Sequence, residues 1–345
     1  MKYNLAFIGF GVVGQGLANL LWEKRGLLKE RYGLEYEVVV VSDSFKGSAY
    51  NPEGLDLGTL LSLVKETGKV SGYPEGKKGW DSLKSIRESN ADIVIEVTYT
   101  DIQTGEPAIS HIRAALKSKK HVVTTNKGPI ALAYRELSEL ARENGVLLRF
   151  EGTVLSGTPS LNLGLEALVG AEIREVRGIL NGTTNYILTE MSKGISYQAA
   201  LKEAQRLGYA EAKPDADVEG WDAVAKIVIL ANALMGGDVK VAGVERKGIT
   251  GLDISDIEKA AEEGKRWKLV ARAWREGDKV RAKVGPEKIG TEGFLAHVGG
   301  VLNALIIDTD ALGEVTVIGP GAGGREAGFA LLSDMLNIHR SLAGQ

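Results

Sequence analysis

A glycine-rich turn between an apolar strand and a helix opens the chain and constrains its fold more than any other feature. The strand is Leu5-Ala6-Phe7-Ile8, the turn is Gly9-Phe10-Gly11-Val12-Val13-Gly14, and apolar residues at helical spacing follow from Leu17 to Leu28. In this pattern Gly9 permits a tight turn, Gly11 lets the backbone approach a pyrophosphate, and Gly14 lets the helix pack closely on the strand. The pattern therefore favours a Rossmann-type dinucleotide site over an ordinary glycine turn.

The end of the next apolar run bears on the choice of nucleotide. Val38 to Val41 stops at Ser42-Asp43, where a carboxylate can accept hydrogen bonds from the adenosine ribose and repel a 2′-phosphate, which favours NAD. Lys46 could instead pair with a 2′-phosphate, so the choice between NAD and NADP stays open. Taken singly, Asp43 is interpreted equally well as a turn carboxylate that caps local amides.

The remaining apolar runs predict the architecture. Runs at Ile93 to Val97 and His121 to Thr125 alternate with helical stretches, which predicts a doubly wound parallel sheet. A helix from Tyr134 to Asn144 and a strand from Val146 to Phe150 follow, and we place a domain change after residue 150. The second half mixes α with β: a strand near Val176 to Leu180, a helix from Tyr197 to Leu207, a long helix beginning near Gly220, a strand from Glu314 to Ile318, and a final helix from Glu326 to Ile338.

Length and composition exclude several classes of function. The 345 residues suit about two domains, and no cysteine is available as a thiol nucleophile or a metal ligand. Lysine and arginine total 42 against 45 acids, a net charge of −3 that does not suggest a nucleic-acid surface. The longest nearly apolar stretch, Ala223 to Met235, carries Lys226 and is shorter than the roughly 18 residues of a membrane span. We expect a soluble, cytoplasmic protein that acts on a small molecule.

Two charges interrupt an otherwise apolar helix in the second half. In the sequence WDAVAKIVILANALM, Asp222 and Lys226 are four residues apart and share a face that continues with apolar residues. They are interpreted either as a structural ion pair or as the lining of an active site. Upstream, Glu211, Asp215 and Asp217 gather before the helix, where they would suit an ammonium-bearing substrate or form a plain polar loop.

Four segments together resemble homoserine dehydrogenase. They are N-K-G-P (126–129), E-G-T-V-L-S-G-T-P (151–159), N-G-T-T-N-Y-I-L (181–188) and G-Y-A-E-A-K-P-D-A-D-V-E-G-W-D-A-V-A-K (208–226), the last being the most specific. The resemblance runs from the glycine turn to the terminal G-P-G-A-G-G-R. It implies interconversion of L-homoserine and L-aspartate 4-semialdehyde by NAD(P)-dependent hydride transfer, in threonine and methionine biosynthesis, by a homodimer.

The resemblance also implies domains and residue roles. An NAD(P)-binding domain would span residues 1–150 and be completed by 311–345, with an α+β catalytic and dimerisation domain at 151–310. Lys226 is similar to the family's proton donor, and Lys127 to a residue beside the nicotinamide and the substrate. Substrate-binding positions are Gly182, Thr183, Glu211, Asp217 and Asp222; cofactor-binding positions are Gly9, Phe10, Gly11, Val12, Val13, Gly14, Asp43, Thr98, Lys127 and Gly321; a monovalent cation, Na⁺ or K⁺, would bind Glu151, Val154, Ser156 and Thr158.

Chemistry supports a lysine donor, because negative charge develops on the carbonyl oxygen as hydride reaches the aldehyde carbon. Asp222 would favour the charged form of Lys226 and burial would oppose it, so the direction of the net pKa shift stays open. Because the chain ends soon after the final helix, we expect no regulatory domain and no strong allosteric inhibition by threonine.

Three other classes of protein are alternatives to this assignment. Aspartate-semialdehyde dehydrogenase forms a thioester and needs a cysteine, which this sequence lacks. Another Rossmann-type amino-acid dehydrogenase and a non-catalytic NAD(P) sensor remain as alternatives. An assay with homoserine and either nicotinamide cofactor separates them.

Overall fold

The computed structural model describes residues 1–344, which divide into two compact units. The first unit comprises residues 1–157 together with the chain from residue 323 onward, and the second comprises residues 158–322. Each unit has its own sheet.

The elements are as follows. The strands are β1 (Lys2–Ile8), β2 (Glu35–Asp43), β3 (Gly47–Tyr50), β4 (Lys77–Lys78), β5 (Ile93–Glu96), β6 (His121–Thr124), β7 (Leu148–Arg149), β8 (Ile173–Ile179), β9 (Glu245–Arg246), β10 (Lys265–Glu276), β11 (Lys279–Gly290), β12 (Leu302–Thr309) and β13 (Gly313–Pro320). The helices are α1 (Val12–Tyr32), α2 (Leu57–Thr67), α3 (Ser82–Glu88), α4 (Ala108–Lys117), α5 (Lys127–Glu143), α6 (Gly182–Met191), α7 (Tyr197–Arg206), α8 (Asp215–Val218), α9 (Trp221–Met235), α10 (Ile254–Glu262), α11 (Phe294–His297) and α12 (Gly324–Ala343).

The first unit is built on a seven-stranded sheet of order β4-β3-β2-β1-β5-β6-β7. Strands β2, β1, β5, β6 and β7 run parallel, which confirms the doubly wound sheet that the sequence predicts. Strands β3 and β4 add an antiparallel edge that was not predicted. Its physical reason is the short turn at residues 44–46, since so few residues can only join antiparallel neighbours.

Helices cover both faces of this sheet because alternate side chains of β1 point to opposite sides. Leu5 and Phe7 belong to a core that includes Leu17 of α1 and Leu331 of α12. Ala6 and Ile8 belong to a second core with Ile112 and Leu116 of α4. The strands are therefore buried on both faces, as expected for parallel sheets.

The second unit contains a six-stranded sheet of order β13-β12-β8-β10-β11-β9. Its pairs are antiparallel except for β9 with β11. Helices α6 and α9 pack on this sheet. All side chains from Ala223 to Ala231 of α9 are buried, as the all-round apolar pattern of this helix predicts. No helix within residues 1–344 combines the length and the apolar character needed to traverse a bilayer.

Some boundaries differ from those that the sequence predicts. Residues 311–322 belong to the second unit rather than to the nucleotide domain, because β13 pairs with β12 along its whole length, and the chain returns to the first unit at Gly323. Residues 151–157 belong to the first unit. The helix expected from Tyr134 already begins at Lys127, capped by Asn126, and only Leu148 and Arg149 of the expected strand at 146–150 pair with β6.

Candidate active site

Two of the three glycines in the turn of the first unit have no room for a side chain, and the third borders open space. Gly9 has φ +93°, and a Cβ there would lie 2.5 Å from the carbonyl oxygen of Val97. A Cβ at Gly14 would lie 2.8 Å from the carbonyl oxygen of Gly9, whereas one at Gly11 would meet open space. Helix α1 carries no acidic residue in its first turn. The predicted roles of the three glycines thus match the steric environment of each, and the donor set fits a pyrophosphate.

The other predicted residues of the turn lie in different environments. Phe10 is fully buried and packs edge-on against Phe7, with ring centroids 5.6 Å apart. Val12 is 75% exposed and Val13 is half-buried. A cofactor would therefore meet Phe10 through its backbone rather than its ring.

Asp43 ties the glycine turn to the turn that follows β2. Its Oδ2 accepts a hydrogen bond from the backbone amide of Phe10 at 2.8 Å, and its Oδ1 accepts from the amides of Phe45 and Lys46, each at 2.9 Å. Burial raises the pKa of the Asp43 carboxyl, but these three backbone hydrogen bonds outweigh burial and lower it overall. Asp43 therefore caps local backbone amides, as one of the two interpretations predicts. Its carboxylate is charged and fixed at the end of β2.

A second part of the nucleotide domain lies where β5 and β6 end. Lys127 is the first residue of α5 and is half-buried; the preceding Asn126 caps the helix by accepting from the amide of Gly128 at 3.2 Å. Thr98 donates its hydroxyl to the buried carboxylate of Glu96. The sequence reasoning singled out Thr98 and Lys127 but missed Glu96 and Asn126, although an Asn directly before a helix is a recognisable N-cap signal.

In the second unit, Lys226 lies among oxygen atoms although its helix is apolar. Its side chain is 8% exposed, and its Nζ lies 2.8 Å from Asp222 Oδ2 and 2.6 Å from the carbonyl oxygen of Leu180. The two charges that interrupt α9 thus form an ion pair one turn apart. Leu180 immediately precedes the N-G-T-T segment, so α9 and the start of α6 meet at Lys226.

Asn181 joins the predicted carboxylates. Its Nδ2 donates to Asp217 Oδ1 at 2.7 Å and to Asp222 Oδ2 at 3.0 Å, while its Oδ1 accepts from the amide of Thr184 at 2.9 Å and so caps α6. The side chain of Asn181 is buried. Asn181 begins the segment 181–188 of the sequence resemblance, but the sequence predicts no role for it.

Gly182 and Thr183 follow Asn181 and complete the cluster. A Cβ at Gly182 would lie 2.7 Å from the carbonyl oxygen of Val301, so only glycine fits there. The Thr183 hydroxyl lies 2.6 Å from the carbonyl oxygen of Tyr209 and 3.2 Å from Asp217 Oδ2. Five of the predicted residues, Gly182, Thr183, Asp217, Asp222 and Lys226, are therefore gathered around Asn181.

The pKa of Asp217 is shifted in an unusual direction for an aspartate within this cluster. Burial raises the pKa of Asp217 and the neighbouring Asp222 charge raises it further, while hydrogen bonds from Asn181 and Thr183 and the charge of Lys226 act in the opposite direction. The net shift is upward. A raised carboxyl pKa beside a fixed cation is characteristic of functional sites.

Glu211 is not part of this cluster. Its side chain is exposed, and its backbone carbonyl accepts from Gln205 Nε2 at 3.2 Å. Gly321 lies elsewhere in the second unit, where a Cβ would overlap the carboxamide of Asn303. That carboxamide is buried without a hydrogen-bond partner in the described chain.

The residues predicted to bind a monovalent cation lie at the end of the first unit and the start of the second. Glu151 and Val154 are buried, and Ser156 has φ +52°, with a buried Oγ that meets no hydrogen-bond partner among the described residues. Thr158 uses its Oγ1 to donate to the carbonyl oxygen of Pro320 at 2.9 Å. Residues 1–344 contain no group of three or more His, Asp or Glu side chains placed to hold a metal ion.

The glycine turn and the lysine cluster define a class of protein. Enzymes that reduce carbonyl groups with a nicotinamide cofactor combine three such features. These are a helix N-terminus suited to a pyrophosphate, an acidic residue at the end of β2, and a buried lysine among carboxylates. The chain is an NAD(P)-dependent oxidoreductase.

Comparisons with known proteins narrow this class to one family. Residues 9–151 match the family model described as homoserine dehydrogenase, NAD binding domain, and residues 159–336 match the model described as homoserine dehydrogenase. The chain therefore belongs to the homoserine dehydrogenase family.

Relatives extend over nearly the whole chain. The NAD(+)-dependent homoserine dehydrogenase of Pseudomonas canavaninivorans is 45% identical over 99% of this chain and 97% of its own length. The homoserine dehydrogenase of Methanocaldococcus jannaschii is 43% identical over 98% and 99%. A hyperthermophilic archaeal homoserine dehydrogenase solved in complex with NADPH superposes with a TM-score of 0.84 at 31% identity, covering 99% of this chain and 98% of its own.

Proposed function

We propose that this homoserine dehydrogenase interconverts L-homoserine and L-aspartate 4-semialdehyde with Lys226 as the proton donor. The observation that supports this role is the burial of Lys226 between Asp222 Oδ2 and the carbonyl oxygen of Leu180, on a helix that is otherwise apolar. A cation is costly in such surroundings unless it is paired. Donation of a proton to the substrate is the chemical use of this cation.

The protein's contribution to carbonyl reduction is electrostatic and protonic. NAD(P)H, when bound, supplies the hydride that reaches the aldehyde carbon. Lys226 stabilises the negative charge that develops on the carbonyl oxygen and delivers a proton to it. In the reverse direction the neutral amine accepts the hydroxyl proton of homoserine. Asp222 favours the charged form of Lys226, in which it can donate.

The carboxylates and the start of α6 are assigned to the amino-acid part of the substrate. Asp217 and Asp222 offer negative charge to an ammonium group, and the side chains of Asn181 and Thr183 hold Asp217 in place. Binding of an ammonium ion favours the ionised form of Asp217, which opposes its raised pKa. Glu211 is assigned to the same carboxylate group by its position in the signature segment, and its exposed side chain would need to turn inward to take part.

The cofactor is assigned to the glycine turn of the first unit. Backbone amides at Gly11 to Val13 would face the pyrophosphate, with Gly14 behind them, and the backbone of Phe10, whose amide donates to Asp43, would border it. Thr98 and Lys127 would lie at the nicotinamide end. Asp43 is proposed to favour NAD, because its charge repels a 2′-phosphate, and Lys46 to offset this preference in part. Gly321 is assigned to the cofactor from the resemblance alone.

A monovalent cation is proposed at Glu151 and the backbone carbonyls of Val154, Ser156 and Thr158. The buried, unpartnered Oγ of Ser156 and the left-handed backbone of that residue support a site there, since orphaned buried oxygens are rare. Such an ion would order the segment that leaves the first unit. Its identity, Na⁺ or K⁺, follows from titration of the protein with each chloride.

A homodimer is proposed through the face of the second sheet that bears Glu175, Arg177 and Arg272. These residues face one another across β8 and β10, where Arg177 Nη1 and Arg272 Nη2 lie 3.1 Å and 2.5 Å from Glu175. They line a cavity of about 420 Å³ together with Phe294, which is 70% exposed. Both signs of charge and an exposed phenylalanine on one surface suit a two-fold interface, in which a patch meets its own copy.

The decisive experiment is a spectrophotometric assay of purified protein with homoserine and either NAD or NADP, followed at the absorbance of the reduced nicotinamide. Turnover with homoserine and none with aspartate supports the proposal. Turnover with aspartate would favour another amino-acid dehydrogenase. Cofactor binding without any turnover would favour a nucleotide sensor.

A further inference from the structure

A buried polar network lies beside the start of helix α5 and contains residues that have no assigned role in binding or catalysis. Glu96, at the end of β5, is fully buried, and its carboxylate accepts the hydroxyl of Thr98 and the backbone amide of Thr98 at 3.2 Å. His111 Nδ1 lies 3.5 Å from the same oxygen. A buried carboxylate is costly, so one that is surrounded by Thr98 and His111 and has no assigned role is a candidate for a function.

Thr124 carries the network from β5 to β6. Its hydroxyl donates to the carbonyl oxygen of Glu96 at 2.8 Å, with the Glu96 carboxylate 3.4 Å away, and it accepts the backbone amide of Asn126 at 3.0 Å. Thr124 is fully buried. One hydroxyl therefore links the end of β5 to the residue that precedes Lys127.

Asn126 then uses both ends of its carboxamide. Its Oδ1 caps α5 at Gly128, while its Nδ2 donates to the carbonyl oxygens of Thr98 and Tyr99 at 3.3 and 3.1 Å. The loop after β5 is thereby fastened to the first turn of α5. The fit is tight, because a Cβ at Gly128 would overlap the carbonyl oxygen of Asp101.

We propose that Glu96, Thr124 and Asn126 are positioning residues that fix the backbone of Lys127 and of the Thr98 loop for hydride transfer. We assign them a role that is exerted through Lys127 and the Thr98 loop, not through direct contact with the reacting atoms. The inference rests on the role proposed above for Lys127 beside the nicotinamide and the substrate. A side chain on a four-carbon stem is mobile, so its placement depends on how firmly its backbone is held.

The test uses Thr124→Val, which keeps the shape of the side chain and removes its hydroxyl, and Thr124→Ser, which keeps the hydroxyl. Single-turnover hydride transfer should fall on the order of 10–100-fold in Thr124→Val and return to within about threefold of wild type in Thr124→Ser. Cofactor affinity, measured by titration, should change little in either variant. Asn126→Ser keeps a helix-capping oxygen but loses the donors to Thr98 and Tyr99, so it should resemble Thr124→Val.

A matched control separates positioning from loss of a buried hydroxyl. Thr309 is also buried and also both donates and accepts, to the carbonyl oxygen of Gly313 and from the amide of Leu312, within the β12–β13 turn of the other unit. Thr309→Val should leave the hydride-transfer rate unchanged while lowering Tm. If it slows hydride transfer as much as Thr124→Val does, the effect is general destabilisation and the proposal is overturned.

A double-mutant cycle with Lys127→Ala decides how the network acts. If Thr124 acts through Lys127, adding Thr124→Val to Lys127→Ala should slow hydride transfer by less than about twofold further. Full additivity would overturn the positioning role and leave the role of Lys127 intact. If Lys127→Ala itself leaves hydride transfer unchanged, the proposed role of Lys127 fails and this inference fails with it. Should Thr124→Val not fold, Asn126→Ser enters the same cycle.

Discussion

The Nζ of Lys226 lies 2.8 Å from Asp222 Oδ2, and Asn181 Nδ2 donates to that same carboxylate oxygen. Asp222 thus shares one oxygen between the candidate proton donor and the residue that starts helix α6. A substitution of Lys226 should therefore change the charge environment of the carboxylates as well as that of the reacting oxygen.

Lys226→Ala should nearly abolish turnover while cofactor binding survives. Loss of one oxyanion-stabilising donor costs on the order of 10²–10³ in kcat, and loss of proton transfer about 10²–10⁴, overlapping rather than adding. Lys226→Arg should stay impaired, because guanidinium keeps its proton at working pH. Single-turnover hydride transfer compared with Lys127→Ala is the measurement. Near-normal transfer in Lys226→Ala, with loss in Lys127→Ala, would identify Lys127 as the donor instead.

Changes at Asn181 should shift the pH profile. Asn181→Ser keeps an oxygen to cap α6 but removes the amide that lowers the pKa of Asp217. That pKa should rise further, so the acid limb of log kcat/KM for homoserine should move to higher pH. Asn181→Asp places a like charge between two carboxylates and should move the limb further. If the acid limb does not move in either variant, ionisation of Asp217 does not control substrate binding.

Asp43→Ala should raise the affinity for NADP relative to NAD, because it removes the charge that repels a 2′-phosphate. Both affinities should fall in absolute terms, since the turn after β2 loses its hydrogen bonds to Phe10, Phe45 and Lys46. Asp43→Asn, which keeps one acceptor oxygen, is the control for this loss. The NAD to NADP ratio of dissociation constants is the measurement, and a ratio equal to wild type in Asp43→Ala would show that Asp43 serves the turn alone.

Lys268 should make the stability of the protein depend on alkaline pH. Burial lowers its pKa to about 8, and its Nζ donates to Asn185 Oδ1 at 3.0 Å and to the carbonyl oxygen of Val298 at 2.6 Å. Between about pH 8 and the value of about 10.4 for an unfolded lysine, the unfolded chain holds the extra proton. Stability should therefore rise with pH across this window, by at most about 1.4 kcal/mol per pH unit.

Lys120 should contribute to the same dependence of stability on pH. Burial lowers its pKa to about 8 as well, so it contributes to the same window from the other unit. Denaturant unfolding at pH 8, 9 and 10 should give a smaller slope for Lys268→Met and for Lys120→Met than for wild type, and the smallest for the double variant. A slope unaltered by Lys268→Met would mean that Lys268 titrates normally.

Phe294→Asp should dissociate the proposed dimer, because it replaces the exposed apolar side chain of this face by a charge that the partner copy would have to bury. Sedimentation at micromolar concentration should show the monomer mass of 36.9 kDa for this variant and twice that mass for wild type. Phe329→Asp is a matched control, since Phe329 is 49% exposed on α12 of the first unit. Persistence of the dimer in Phe294→Asp, or its loss in both variants, would exclude this face as the specific interface.

Local patterns in the sequence determined the elements and the two positions where chemistry was expected. The strand, glycine turn and helix of residues 5–28 are confirmed because each depends on neighbours within a few residues: alternation, a left-handed Gly9, and helical spacing. The ion pair of Asp222 and Lys226 could be predicted for the same reason, since residues four apart on a helix share a face. The antiparallel edge at β3 and β4 was missed because its signal lay only in a three-residue turn.

Only the tertiary structure decided which polar groups meet. Asn181 lies 36 and 41 residues before its partners Asp217 and Asp222, and Phe10 lies 33 residues before Asp43. No periodicity spans such distances, so neither the role of Asn181 nor the clamping of the glycine turn by Asp43 was visible. Glu211, in the same signature segment as Asp217, lies outside the cluster because its backbone follows the end of α7 rather than the turn into α9. Burial and hydrogen bonding arise only when the chain packs. They therefore distinguish Asp217 from Glu211, although both acids lie in one short segment of the sequence.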